Sequence, residues 1–302
     1  MTEVHHFPTL KPDDIVALIA PASHMRKGTE CWIDESVRVL EGWGLTVQVR
    51  CDRDQKKFYL AGDDAYRAKE INAALADPNV AAIFATRGGY GSARILPYLE
   101  QPSVGSPKIF CGFSDMTSLL LAFERQAPHV FAIHGPNLAT EQFLASTNDA
   151  AENRERLHTI LFSPGAVQNE AVHFLRTGYA RAPIIGGCLS VLVTLLGTPF
   201  EPNFTGKIVF LEDVGEKPFR IDRMLTHLKL AGKFEGIKGL LFGEMRGCDD
   251  GANDLGEVIM DIFSSDTFPL AIGLKSGHGK NNYPVRLRRL VTLDGYGGKV
   301  SF

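Results

Sequence analysis

Between residues 16 and 123, short apolar runs alternate with longer stretches in helical register. This alternation restricts the first half of the chain to an open, mostly parallel sheet flanked by helices. Val16-Ala-Leu-Ile-Ala20 reads as a buried strand stopped by Pro21, followed by strands at Leu45-Thr-Val-Gln-Val49, Val80-Ala-Ala-Ile-Phe-Ala85 and Ile109-Phe-Cys111. Helical pattern fills residues 35–42 and 63–75, and resumes at once after Gly112-Phe-Ser114-Asp115. Two loops thus leave the carboxyl ends of strands, the edge where such sheets hold ligands: Arg87-Gly-Gly-Tyr-Gly91 and Gly112-Phe-Ser-Asp115.

Beyond a polar helical stretch at residues 149–162, Ser163-Pro164-Gly165 reads as a hinge, and the pattern then shifts toward strands. These are expected near residues 172–175, 207–211, 239–242, 269–272, 290–293 and 299–302, with helices at 189–196 and 220–230. The expectation is two domains: residues 1–165, an N-terminal α/β domain, and residues 166–302, a C-terminal mixed β-rich α/β domain. A chain of 302 residues is long enough for both to bury a core.

Composition narrows the function. A net charge of -3 gives no electrostatic basis for binding nucleic acid or an anionic membrane. The five cysteines are scattered without a C-x-x-C pair, which fits a reducing compartment and excludes a zinc ribbon or dithiol motif. No window reaches the length of a membrane span, and residues 1–8 lack a basic stretch followed by an apolar one. A cytoplasmic enzyme or binding protein is expected.

Ser114 sits where a strand turns into a helix, beside the unpaired NH groups of the first turn. That is a place for a nucleophile, and also for a helix cap. Met116 stands where a Gly-x-Ser-x-Gly elbow would have its last glycine. The glycine loop fails as a dinucleotide fingerprint, because Arg94 falls at the third glycine, and no P-loop occurs. It suits an oxyanion or a carboxylate instead, with glycine NH groups as donors and Arg94 as a bidentate partner. Glu212 lies where the strand at 207–211 ends, able to orient a histidine, while Asp213, Glu216 and Asp222 suit capping of the helix near Arg220. His278, between Gly277 and Gly279, is the candidate base among nine histidines, and His134 is its rival. If Ser114, Glu212 and His278 converge, His278 takes the serine proton and Glu212 holds the imidazole. The amides of Asp115 and of Gly88 or Gly89 then receive the oxyanion. No metal is expected, since no histidine pair or His/Cys/Asp cluster has ligand spacing.

Four segments together are similar to the LD-carboxypeptidases, the muramoyl-tetrapeptide carboxypeptidase family, which also includes microcin-immunity peptidases. They are Arg87-Gly-Gly-Tyr-Gly-Ser-Ala-Arg-Ile-Leu96, Gly112-Phe-Ser-Asp-Met-Thr117, Leu211-Glu-Asp-Val-Gly-Glu-Lys-Pro-Phe-Arg-Ile-Asp-Arg-Met-Leu225 and Gly277-His278. Val16-Ala-Leu-Ile-Ala-Pro-Ala-Ser23, Leu60-Ala-Gly-Asp-Asp-Ala-Tyr-Arg67, His134-Gly-Pro136 and Gly186-Gly-Cys-Leu-Ser190 extend the resemblance over the whole chain. It implies a serine peptidase without cofactor or metal that removes the terminal D-alanine of a murein tetrapeptide in cytoplasmic cell-wall recycling, and a homodimer. Ser114, Glu212 and His278 would be catalytic, with Gly89 and Asp115 as the oxyanion donors. Gly88, Tyr90, Arg94 and His134 would contact the substrate. Two departures stand out: Cys188 where the family commonly has asparagine, and Arg286 where it has the glycine of Pro-x-Gly. Cleavage of an acyl-adenylate by the same triad, and muropeptide binding without catalysis, are the alternative readings.

Overall fold

The structure, a computed structural model, describes residues 7–100, 106–163 and 165–302. Residues 1–6, within the stretch expected to lack a basic run followed by an apolar one, and Pro164 of the expected hinge lie outside the described residues. The chain divides into two compact units, Met1–Ala166 and Val167–Phe302.

In the first unit the chain runs β1 (Ile15–Ile19), α1 (Trp32–Gly42), β2 (Thr46–Val49), α2 (Asp64–Ala76), β3 (Val80–Ala85), α3 (Ser92–Ile95), β4 (Lys108–Gly112), α4 (Thr117–Gln126), β5 (Val130–His134), α5 (Glu141–Leu144) and α6 (Asn148–Phe162). The strands lie in the order β5-β4-β3-β1-β2, every pair parallel. From β1 the chain builds to one side with β2 and then to the other with β3, so the loops after β1 and β3 meet at the point where strand order reverses. Every residue of β4 and β5 is buried, which is why these runs carry no polar alternation. Val16, Leu18, Phe84, Ile109 and Ile133 pack one face against Ile33, Leu40, Phe143, Leu157 and Ile160 of the helices.

The second unit adds β6 (Asn169–Ala171), β7 (His173–Arg176), β8 (Tyr179–Cys188), α7 (Leu189–Leu192), β9 (Ile208–Val214), α8 (Pro218–Leu230), β10 (Gly239–Arg246), α9 (Leu255–Ile262), β11 (Leu270–Ile272), β12 (Val285–Arg286), β13 (Leu290–Asp294) and β14 (Lys299–Ser301). An eight-stranded sheet runs β6-β14-β13-β8-β9-β10-β11-β7, with β8 to β11 parallel and its flanks antiparallel. The mixed α/β class read from the sequence is the one observed. The ten-residue β8 was not read as a strand, because Pro183 and the Gly186-Gly187 pair break its pattern. Those glycines have φ of +143° and +146°, and a Cβ on Gly186 would run into the Phe210 carbonyl of β9. The helix expected at 189–196 is α7 followed by a 3-10 turn at Val193–Leu195.

The expected capping of α8 by Asp213, Glu216 and Asp222 is corrected. Helix α8 begins two residues earlier than expected, with Pro218 preset for the first turn and Lys217 at its cap without a side-chain hydrogen bond. Asp213 instead accepts from the Ser190 amide at 2.7 Å, Glu216 faces Arg220 at 3.4 Å, and Asp222 accepts from the Thr226 hydroxyl at 2.9 Å.

Candidate active site

β4 ends at Gly112, Phe113 is extended, and Ser114 then adopts φ +63°, a left-handed conformation that costs a residue with a Cβ about 1–2 kcal/mol. Ser114–Met116 form a 3-10 turn, and the N-cap of α4 is Met116, so the serine is not the cap residue of that helix. The strained turn is held from both sides. The buried Asn137 accepts from the Phe113 amide at 3.2 Å and donates to its carbonyl at 3.3 Å. Gly112 leaves room for Met116, whose Cγ a Cβ would meet at 2.7 Å.

The glycine loop passes directly against this serine. A Cβ on Gly88 would lie 3.0 Å from Ser114 Cβ and 3.2 Å from its Oγ, so only a hydrogen fits comfortably. Gly89 and Gly91 have φ of +101° and +127°. Ser23, in the loop after β1, clamps the turn: its amide donates to the Gly88 carbonyl at 3.3 Å and its hydroxyl accepts from the Tyr90 amide at 3.1 Å. Arg67 is almost wholly buried and donates through Nη1 to the carbonyls of Pro21 at 2.6 Å and Gly91 at 2.7 Å, while its Nη2 pairs with Asp64.

The buried Asp115 side chain ties the two loops together. It accepts from the Ser92 amide at 2.7 Å, and burial pushes its carboxyl up, opposed by the Ser92 hydrogen bonds. Its own amide lies in the first turn, where no preceding carbonyl is in register to take it.

The structure places the remaining candidates of this unit as follows. Arg94 lies on Asp64, with Nε at 3.0 Å and Nη2 at 2.7 Å, and this hydrogen bond leads the causes holding the Asp64 carboxyl below the usual range. Tyr90 is half exposed and meets Tyr59 edge to face at 5.5 Å. His134 is fully buried at the end of β5, edge-on to Phe113 at 5.9 Å.

In the second unit Glu212, wholly buried near the carboxyl end of β9, accepts from both His278 Nδ1 at 2.7 Å and the His278 amide at 3.1 Å through the same oxygen, Oε2. Gly277, at φ +124°, makes this possible, since a Cβ there would collide with the Glu212 carboxylate. The Gly277 amide is anchored on Asn282 Oδ1 at 2.9 Å, and the loop runs beside β10 through Glu244 N to Ser276 O at 2.9 Å. Burial works against a charged His278, but the hydrogen bond and charge of Glu212, reinforced by Asp213, outweigh it. The imidazole pKa is therefore raised above its ordinary value. Asp213 points to Ser190, and burial raises its carboxyl. Cys188 lies 3.8 Å from that carboxyl, and its thiol is raised well above normal by burial first and then by Glu212 and Asp213.

A base held at Nδ1 by a buried carboxylate, and a serine on a strained strand-to-helix turn against a glycine loop, are two parts that acyl transfer requires. Among the described residues no group of three His, Cys, Asp or Glu side chains is arranged to hold a metal. Sequence reasoning missed Ser23, Arg67 and Asn137 as supports. Arg67 lies in the quoted Asp63-Asp64-Ala-Tyr-Arg67 stretch, but nothing local distinguishes a buried arginine from a solvated one.

The model of the LD-carboxypeptidase N-terminal domain matches residues 16–135, and that of the LD-carboxypeptidase C-terminal domain matches residues 181–293. The chain is 30% identical to a murein tetrapeptide carboxypeptidase of Pseudomonas aeruginosa, covering 94% of each chain. It is 33% identical to a protein of Bacillus subtilis named "probable murein peptide carboxypeptidase", over 89% of this chain and 85% of that one. Its fold is similar to that of the microcin C7 self-immunity protein, with a TM-score of 0.88 at 20% identity over 97% of each chain. With both domain models matched in order and relatives at this identity along nearly the whole length, the chain belongs to the LD-carboxypeptidase family of peptidases.

Proposed function

We propose that this protein is a serine carboxypeptidase that hydrolyses the L,D-peptide bond releasing the terminal D-alanine of a murein tetrapeptide, in cytoplasmic cell-wall recycling. The observation that carries the reading is the 2.7 Å contact between His278 Nδ1 and the buried Glu212 carboxylate. With Nδ1 so engaged, Nε2 is the nitrogen that exchanges the proton. Ser114 Oγ attacks the scissile carbonyl while His278 accepts its proton. The amides of Asp115 and Gly89 stabilise the tetrahedral oxyanion. Collapse breaks the C–N bond as His278 returns the proton to the leaving amine of D-alanine. Water then attacks the acyl-serine by the same route in reverse. In this reading Gly88 and Tyr90 face the substrate; Arg94 and His134, also expected to contact it, lie on Asp64 and against Phe113 respectively.

The test is incubation of the purified protein with a murein tetrapeptide, following D-alanine and tripeptide by mass spectrometry. Release should persist in a chelator and fall by at least about 10⁴-fold in Ser114→Ala with the fold intact. Wild-type turnover in Ser114→Ala would remove the nucleophile. Hydrolysis of an acyl-adenylate in preference to the tetrapeptide, run side by side, would move the substrate to the alternative class.

A further inference from the structure

In a terminal peptide bond the leaving nitrogen and the free carboxylate belong to the same residue, on either side of one Cα. Whatever group protonates that nitrogen therefore has the carboxylate within the reach of a neighbouring side chain. A planar guanidinium is well matched to a carboxylate at such a place. The arginines around the serine turn are already engaged: Arg67 on Pro21, Gly91 and Asp64, Arg87 on the His24 carbonyl, and Arg94 on Asp64.

Arg246 differs. It ends β10, the strand that runs beside the histidine loop through the Glu244–Gly277 bridge, and it is exposed. Its Nη1 reaches the His278 carbonyl at 3.5 Å, the long limit of a hydrogen bond, and among the described residues no carboxylate lies within ion-pair distance of it. Glu244, two residues back on the strand, lies instead against Gly279, where a Cβ would stand 2.5 Å from its Cδ. A guanidinium has five N–H donors, and one weak contact leaves an edge for a bidentate anion.

We propose that Arg246 binds the free α-carboxylate of the residue being released, and so confines cleavage to the C-terminal bond. The inference rests on the carboxypeptidase reading above. It also has an electrostatic consequence. The Arg246 charge opposes the imidazolium of His278, so a carboxylate seated on the guanidinium cancels that opposition and makes His278 a stronger base when substrate is present.

The experiment compares wild type, Arg246→Gln and Arg246→Lys on a murein tetrapeptide and on the same peptide with its terminal carboxylate converted to a primary amide. Wild type is expected to favour the acid. In Arg246→Gln, assayed at a pH above the His278 inflection, the KM for the acid should rise roughly 10- to 100-fold while the KM for the amide stays the same, so the preference collapses, and Arg246→Lys should restore part of it. Circular dichroism and thermal midpoint should match wild type, because the side chain is exposed. An Arg246→Gln enzyme that keeps the wild-type acid preference overturns the inference while serine-dependent hydrolysis stands. A wild type that releases no D-alanine from either peptide overturns the carboxypeptidase reading, and the inference with it.

Discussion

A histidine whose pKa is raised by a buried partner carries its own signature in pH dependence. In the proposed mechanism protonated His278 cannot accept the serine proton, so kcat/KM should climb with pH through an inflection above the ordinary imidazole value of about 6.5. Glu212→Gln removes the charge that raises this pKa and leaves burial, which lowers it. The inflection should move down, and kcat should fall because the ring is no longer held as a base. An unmoved inflection in Glu212→Gln would separate the acid from the histidine's titration. The same shift is a stability statement: the folded pKa lies above the unfolded one, so the contribution is full below about pH 6.5 and is lost as pH rises through the folded value.

At the scale of elements, the glycine loop after β3 keeps its shape by bonds from elsewhere in the first unit. Arg67 on α2 satisfies the carbonyls of Pro21 and Gly91 at once, and Ser23 holds Gly88 and Tyr90. Arg67→Met should leave the buried carbonyls of Pro21 and Gly91 without their donor, costing about 1–3 kcal/mol each in chemical denaturation, while Asp64 keeps Arg94. It should also lower kcat by loosening the loop that carries Gly89. Arg67→Lys should recover only part of both, because a single ammonium cannot span the geometry of a planar fork. A denaturation midpoint unchanged in Arg67→Met would show that the loop stands without this clamp. Which elements were legible follows from locality. β1, β3 and β4 are short apolar runs bounded by turn residues, and their period shows in the sequence. β8 was not legible because its glycines, required where β9 comes close, look like a loop when read alone.

For the whole molecule, no described helix is long and apolar enough to cross a membrane, and all five cysteines are thiols outside any disulfide. A reductant is therefore expected to leave the thermal midpoint unchanged, since no crosslink constrains the unfolded chain. A drop in midpoint on reduction would reveal a disulfide. The family resemblance further implies a homodimer. Sedimentation velocity is expected to give twice the 33.1 kDa chain mass, and a species at the chain mass at micromolar concentration would count against it.

The α/β class, the serine on a strand-to-helix turn, the glycine loop at a strand's carboxyl end, and an acid and a glycine-flanked histidine further along can all be read from the chain alone. Each of these depends on periodicity and turn chemistry within a few residues. The partners of the charged and polar side chains come from the packed fold: Arg94 on Asp64, Arg67 under the glycine loop, Asp115 on Ser92, Asp213 on Ser190 and Glu212 on His278. Such partners lie from 23 to 66 residues apart. A buried polar group takes whichever partner the packed backbone brings within hydrogen-bond distance, and that distance has no local trace in the chain.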